Sequence, residues 1–314
     1  TANSVTITNT RGSSNSGIHG IQIVEKIVVP GMPEVETSAV SALAATSVTL
    51  NGNLIDHGDG SDMATLTFYY GASDGGTTAA AWAHAQSAGT RTSPGVFSAA
   101  VSGLVPNTTY YCRAFVSNSV GNDWAPAGVI FTTPAALPTV QNIGASEILG
   151  TSATIGGNVT STGGEVPTLV IYYGDNDAGT NAGAWDAQLH LGPQNGSATG
   201  GITGLTPSTT YYFRVAASNS AGLAWAPSSS SFVTPVVTAP SVVNTAATSV
   251  NATFATLNGQ VTDAGGDTPS VTIYYGTVDG GSTVGNWQFS TSAGNQTGAF
   301  SRLVSNLQPT TTYY

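Results

Sequence analysis

Gly204-Leu205-Thr206-Pro207-Ser208-Thr209-Thr210-Tyr211-Tyr212-Phe213-Arg214-Val215 is the stretch on which the reading of the fold turns. From Leu205 every second position is apolar or small, the period of a strand with one buried face. The stretch returns as Leu104-Val105-Pro106-Asn107-Thr108-Thr109-Tyr110-Tyr111 and again as Leu307-Gln308-Pro309-Thr310-Thr311-Thr312-Tyr313-Tyr314. Outward from it the repetition persists. Tyr69-Tyr70-Gly71 recurs as Tyr172-Tyr173-Gly174 and Tyr274-Tyr275-Gly276, at spacings of 103 and 102. A tryptophan stands eleven residues after each glycine, at Trp82, Trp185 and Trp287. Two copies run on through Asn118-Ser119 and Asn219-Ser220 to Trp124-Ala125-Pro126 and Trp225-Ala226-Pro227. The chain is a tandem array with a period near one hundred residues.

Inside each repeat the strand period recurs. Val48, Leu50 and Gly52 alternate with Thr49, Asn51 and Asn53, and Val170 and Tyr172 continue the pattern. Tyr110, Cys112, Ala114 and Val116 place the lone cysteine on an inward face, where it reads as a small buried hydrophobe. Gly, Asn, Asp and Pro turns recur about every ten residues, which predicts an all-β sandwich rather than a βαβ fold. Alanine-rich Thr77–Ala85 and Thr180–Ala187 predict one or two helical turns at the sandwich edge. Proline-bearing links at Thr132–Pro138 and Val233–Pro240 predict extended, semi-rigid connections. The chain therefore divides into a strand pair over 1–31, repeats over 32–136 and 137–238, and an incomplete third repeat over 239–314. By comparison with the second copy, the third lacks the 22 residues matching Phe213–Thr234, which reads as a fragment of something longer. Within 1–31, Val5-Thr6-Ile7 and Ile21-Gln22-Ile23-Val24 predict two strands that cannot bury their apolar face alone. They read as the tail of a preceding β domain or as an assembly segment. Thr1 follows no charged-then-apolar leader, so any signal peptide is expected to be gone already.

Composition excludes several functions. The 314 residues carry 6 basic and 16 acidic side chains, a net charge of −10, and charged residues are 7% of the chain. Ser and Thr number 79, Gly 39, and Lys26 is the single lysine. Five scattered arginines cannot neutralise a phosphate backbone, so no nucleic-acid partner is expected. Apolar runs of a few residues fall far short of a membrane helix. Aromatic content of 8% and hydrophobic content of 40% argue against a disordered chain.

Gly204–Val215, followed by Ala217, Asn219 and Gly222, resembles strands E and F of bacterial fibronectin type III-like domains. Ala153–Val159 and Tyr172-Tyr173-Gly174 are similar to that family's B and C strands. The resemblance runs from near Pro33 to Tyr314 and implies tandem seven-stranded antiparallel sandwiches, used as spacer or adhesive modules on secreted and cell-surface proteins. It also implies a structural tyrosine corner at Tyr110, Tyr211 and Tyr313, each hydroxyl bonded to backbone near the preceding turn. The B-strand tryptophan of animal members is missing. Residues 1–31 weakly resemble the closing strands of a jelly-roll domain.

Candidate chemical sites are few. Gly71-Ala72-Ser73-Asp74-Gly75 spells a nucleophile elbow, yet Asn176 and Val278 replace Ser73 in the other copies. Asp74, Asp177 and Asp279 share one repeat position, each two residues before a glycine, which reads as a turn cap. Asp56, Asp59 and Asp62, and Asp175 with Asp177, have oxygen-ligand spacing for calcium but complete no such pattern and read as solvated acidic turns. His19, His57, His84 and His190 have no metal-ligand spacing. No catalytic residue, metal or cofactor is implied. Trp82, Trp185 and Trp287 read as core or edge anchors, whereas Trp124 and Trp225 read as exposed aromatics suited to a partner or glycan. Sequons stand at Asn107, Asn158, Asn195, Asn251 and Asn295, so glycosylation is expected on a chain whose solubility rests so little on charge.

The functional expectation is a non-enzymatic, secreted or cell-surface structural or adhesive module: stalk, surface layer, adhesin or filament subunit. Its expected partners are copies of itself or neighbouring domains of a longer chain, with a cell-surface glycan as a further candidate. Self-assembly through sheet-edge pairing, with the 1–31 strands adding to an open edge, is one form of this expectation. The alternative is an accessory or carbohydrate-binding spacer of a secreted polysaccharide-degrading enzyme.

Overall fold

The computed structural model describes residues 5–9, 21–25, 31–58 and 63–314. The chain divides into two compact units, one of residues 1–137, 162–166 and 219–222 and the other of 138–161, 167–218 and 223–314. Strands β1 (Val5–Asn9) and β2 (Ile21–Glu25) form an antiparallel pair in the first unit, Ile7 opposite Ile23.

The first sandwich contains β3 (Glu34–Ser41), β4 (Ser47–Asp56), β5 (Ala64–Gly71), β6 (His84–Arg91), β7 (Gly95–Ser102), β8 (Thr109–Ser117), β9 (Asn122–Trp124) and β10 (Val129–Thr132). One sheet has the order β3-β4-β7; the other has β10-β8-β5-β6, with β9 also paired to β8. All these pairings are antiparallel. Three strands facing four or five in this order make a fibronectin type III-like sandwich. Period two explains which side chains enter it. Val48, Leu50 and Leu54 of β4 are buried, as are Leu66 and Phe68 of β5 and Cys112, Ala114 and Val116 of β8. Phe68 and Phe97 meet across the core with ring centroids 5.0 Å apart.

The second sandwich repeats the plan with β11 (Thr139–Ser146), β12 (Ser152–Ser161), β13 (Thr168–Gly174), β14 (Ala187–Pro193), β15 (Ser197–Thr203), β16 (Thr210–Asn219), β17 (Gly222–Trp225) and β18 (Ser230–Val233). Its sheets run β11-β12-β15 and β14-β13-β16-β17, with β18 also on β16. Ile155, Leu169, Ile171, Phe213 and Val215 fill its core. The alternation of Val170 and Tyr172 thus belongs to the outer face; Leu169 and Ile171 are the inward pair, because both faces of this central strand carry apolar residues. The alternation through Leu205, Pro207 and Thr209 likewise precedes the strand. Ser208 takes a left-handed φ of 55° and reverses the chain, and β16 begins only at Thr210.

The last segment holds β19 (Ser241–Thr248), β20 (Phe254–Asp263), β21 (Ser270–Tyr275), β22 (Phe289–Asn295) and β23 (Ala299–Ser305), in sheets β19-β20-β23 and β21-β22. Its core is small: Val261, Ala293 and Phe300 are buried, with Ala264, Val271 and Ile273 packed beside them. Tyr314 and Gly276 exchange backbone hydrogen bonds of 3.2 and 2.9 Å, a pairing that matches Gly71 with Tyr111 and Gly174 with Tyr212. The predicted helical turns are 3-10 turns at Ala79–Ala81 and Ala182–Ala184, with a third at Val284–Asn286. No helix among the described residues is long and apolar enough to cross a membrane.

Candidate functional site

The outer face of the first sandwich's larger sheet carries an aromatic group. Tyr69 on β5, Phe115 on β8 and Trp124 on β9 are brought together because Tyr69 pairs with Arg113 and Phe115 with Trp124. Their centroids lie 4.9 Å (Tyr69–Trp124), 4.9 Å (Phe115–Trp124) and 5.8 Å (Tyr69–Phe115) apart, with the rings tilted by 41°, 58° and 87°. Tyr69 and Phe115 meet edge to face and Trp124 is tilted against both, so the three rings do not form a flat platform. The second sandwich has the pair Tyr172–Trp225 at 5.0 Å, with Ala216 where Phe115 stands. Trp124 and Trp225 are therefore half-buried.

An arginine holds each of these tryptophans' corners. Arg113 Nε donates to Ala125 O and its Nη2 to Pro126 O, both at 2.6 Å. Arg214 makes the same clamp, Nε and Nη2 to Ala226 O at 2.9 and 2.7 Å and Nη2 to Pro227 O at 2.8 Å. The recurrent Trp-Ala-Pro is thus the far half of a guanidinium fork. Carbonyls bound this way are charge-assisted and well fixed.

The tryptophans at the other fixed position are inner anchors. Trp82 and Trp185 are buried, and Trp287 is half-buried. Trp82 Nε1 donates to Gly76 O at 3.2 Å, and Trp287 Nε1 to Gly281 O at 3.0 Å. The loop carbonyls are offered by turns in which Asp74, Asp177 and Asp279 accept from the backbone N–H of Gly76, Gly179 and Gly281 at 2.8–2.9 Å. Asp177 also accepts from Ser229 Oγ, and these hydroxyl and amide donors hold its carboxyl below the usual range. Ser73 is an exposed residue of the first of these turns. Trp185 Nε1, although buried, has no partner.

Tyrosine hydroxyls accept from backbone at the turn before each F strand or its start. Tyr110 takes Val105 N, Tyr211 takes Thr206 N and Tyr313 takes Gln308 N, at 3.0, 3.0 and 2.9 Å. The turns beneath them hold Asn107, Ser208 and Thr310 in left-handed φ of 49°, 55° and 55°. Beside them lies a feature that the sequence displayed only as a recurring Thr-Pro. Thr133, fully buried, accepts from Thr108 N at 3.0 Å and donates to Val105 O at 2.7 Å. Thr234 does the same to Thr209 N and Thr206 O at 3.0 and 2.7 Å. The connecting segments are tied further along as well. Asn107 N donates to Pro134 O and Ala136 N to Gly163 O within the first unit; Ser208 N donates to Pro235 O and Thr238 N to Gly265 O within the second. Asn118 Nδ2 reaches Gly31 O and His57 O, and Asn219 Nδ2 reaches Ala136 O and Thr162 O.

The remaining singled-out residues do not converge. Asp59, Asp62 and His19 lie outside the described residues. Asp56 accepts from Gly58 N at 2.9 Å, His84 stacks on Tyr70 with centroids 4.9 Å apart, and His190 is exposed. Among the described residues no three His, Cys, Asp or Glu side chains gather as a metal site. Burial pushes the Cys112 thiol up to about 11.

No protein-family model and no curated protein matches the chain. Among solved structures, the FN1–FN3 domains of chicken CNTN1 are similar over 90% of this chain and 91% of that one, at 18% identity and a TM-score of 0.34. The sensor domain of the anti-sigma factor RsgI4 of Pseudobacteroides cellulosolvens is similar over 33% of this chain and 92% of that one, at 21% identity and a TM-score of 0.24. At such scores the fold assignment rests on the strand order itself.

Proposed function

We propose that the chain is a non-enzymatic extracellular structural or adhesive module, a series of sandwiches that spaces or links other surfaces. One observation carries the reading. The segments leaving the first and second sandwiches are each tied by the same set of hydrogen bonds, through buried Thr133 and Thr234 and through Ala136 and Thr238. A link with its donors and acceptors already paired resists extension, which a spacer under load requires. Low charge, abundant hydroxyls and a net charge of −10 suit a life outside the cell. Copies of the same chain or neighbouring domains are its partners, and edge pairing is the route by which it assembles. Negative-stain electron microscopy of the protein isolated from its natural source tests this. Regular filaments or sheets make self-assembly the function, separate short rods make it a spacer, and discrete globular particles overturn both.

The second reading, a carbohydrate-binding spacer of a polysaccharide-degrading enzyme, draws on half-buried Trp124 and Trp225 on the outer sheet face. It requires binding on a glycan array that is lost on Trp124→Ala and Trp225→Ala together.

A further inference from the structure

We propose that Asn295, together with Asn195, is an N-glycan attachment site that guards a sheet edge; this rests on the extracellular reading above. The five sequon asparagines differ in how their side chains and backbone are held. Asn107 Nδ2 donates to Gly164 O at 2.9 Å, on a residue in left-handed conformation. Asn158 lies mid-strand in β12, paired on both sides with Gln141 and Ser197, and its Oδ1 accepts from Ser197 Oγ. Asn251 is folded into a tight turn, its Oδ1 on Ala252 N and its N–H on Phe254 O. Asn195 and Asn295 are exposed, and their side chains make no hydrogen bond within the described residues. Both sit where the chain leaves an edge strand and crosses to the facing sheet, from β14 to β15 and from β22 to β23.

Register gives this position a meaning. Thr65 pairs with Thr90, Thr168 with Pro193 and Ser270 with Asn295, so these three partners occupy one place near the end of β6, β14 and β22. Those strands are sheet edges, and a free edge is a template for unwanted pairing. Charge and proline are two established ways of blunting an edge; the second copy has Pro193 there, and the first has Thr90 with Arg91 directly after it at the end of the same strand. The third has an asparagine, a weak guard when bare and a strong one when it carries a bulky, hydrated sugar. Asn195, two residues after Pro193, places a second glycan at the matching crossing of the second sandwich.

The reaction needs a lipid-pyrophosphate-linked oligosaccharide and its transferase. The amide nitrogen of Asn295 bonds to the anomeric carbon, the bond from that carbon to the pyrophosphate oxygen breaks, and the amide proton leaves with the lipid pyrophosphate. The test is secretion of the full chain from a host that performs this transfer, then enzymatic glycan release in heavy-oxygen water and peptide mapping. Heavy-oxygen aspartate at 295 and 195, several-fold above that at 107 and 158, is the expected result. Equal labelling at Asn107 or Asn158, or an unlabelled Asn295, overturns the assignment. Mapping the protein from its natural source separates the two readings: bare Asn295 there, with label in the secreting host, overturns the extracellular premise and leaves the site's accessibility standing.

Discussion

Ala178 stands where the other two copies have Gly75 and Gly280, and one methyl group accounts for a difference in hydrogen bonding. A Cβ built on Gly75 falls 2.6 Å from Trp82 Cδ1, and one on Gly280 falls 2.8 Å from Trp287 Cδ1. The second copy has a real Cβ there, and its tryptophan is the one whose indole N–H has no partner. Gly75→Ala is expected to displace Trp82 and cost about 1–3 kcal/mol, read from urea unfolding. Ala178→Gly should let the Trp185 indole N–H reach Gly179 O. That gain of about 1 kcal/mol offsets the entropy a glycine adds to the unfolded chain, so a neutral to stabilising change is expected, with slowed exchange of the indole proton as its signature. Cys112 yields a second prediction. Its thiol is raised from 9.0 to about 11 by burial, so below pH 9 both folded and unfolded chains keep the proton. Between pH 9 and 11 only the unfolded chain releases it, so this part of the stability is lost as pH rises through that window. Iodoacetamide at pH 8 should label the native thiol far more slowly than the urea-unfolded one.

At the scale of single elements, one threonine hydroxyl ties the chain leaving each of the first two sandwiches to the turn that precedes β8 or β16. Thr133→Val keeps the shape but takes the hydroxyl partner from Thr108 N and Val105 O in part-buried bonds. The expected cost is about 1–3 kcal/mol, and Thr234→Val should match it in the second copy. If Thr133 were merely a filler of space, the valine would be neutral by the same unfolding measurement. These threonines were visible in the sequence only as part of a recurring Thr-Pro beside a linker. Their role was hidden because both bonds of Thr133 reach residues more than twenty positions away. The arginine clamp was hidden for the same reason, since Arg113 and Pro126 lie 13 residues apart and meet only when β8 and β9 pair.

Across the whole chain, stability is unevenly distributed. The first two sandwiches bury sets that include Phe68, Leu50 and Leu66, or Phe213, Ile155 and Leu169, whereas the last has a core cluster of Val261, Ala293 and Phe300, with Ala255 and Val304 buried outside it. Val242 and Val243 on β19 are 58% and 46% exposed, which leaves little area to offset the ordering entropy of that segment. The 314-residue polypeptide is therefore expected to unfold in more than one step, the segment after 239 opening first. Hydrogen exchange should find amides of β20 and β23 less protected than those of β4 and β7. A single cooperative transition with uniform protection would contradict this.

The residues alone establish the period of about one hundred residues, the all-β class and the strand at Tyr211–Val215. These are local signals, set by side-chain alternation and by turn chemistry within a few residues. The alternation set Val170 and Tyr172 on the apolar face of their strand, which the structure reverses, and it left open what the recurrent threonines do. Only the tertiary structure decided those. Leu169 and Ile171 face the core because that face of β13 packs against the sheet β11-β12-β15, whose Ile155 and Ile202 share their cluster. Thr133 and Arg113 act through partners that chain folding alone brings within hydrogen-bond distance. Asn295 differs from Asn158 because one ends an edge strand and the other is paired on both sides. Each is a consequence of strand order, which is non-local and leaves no mark at the position itself.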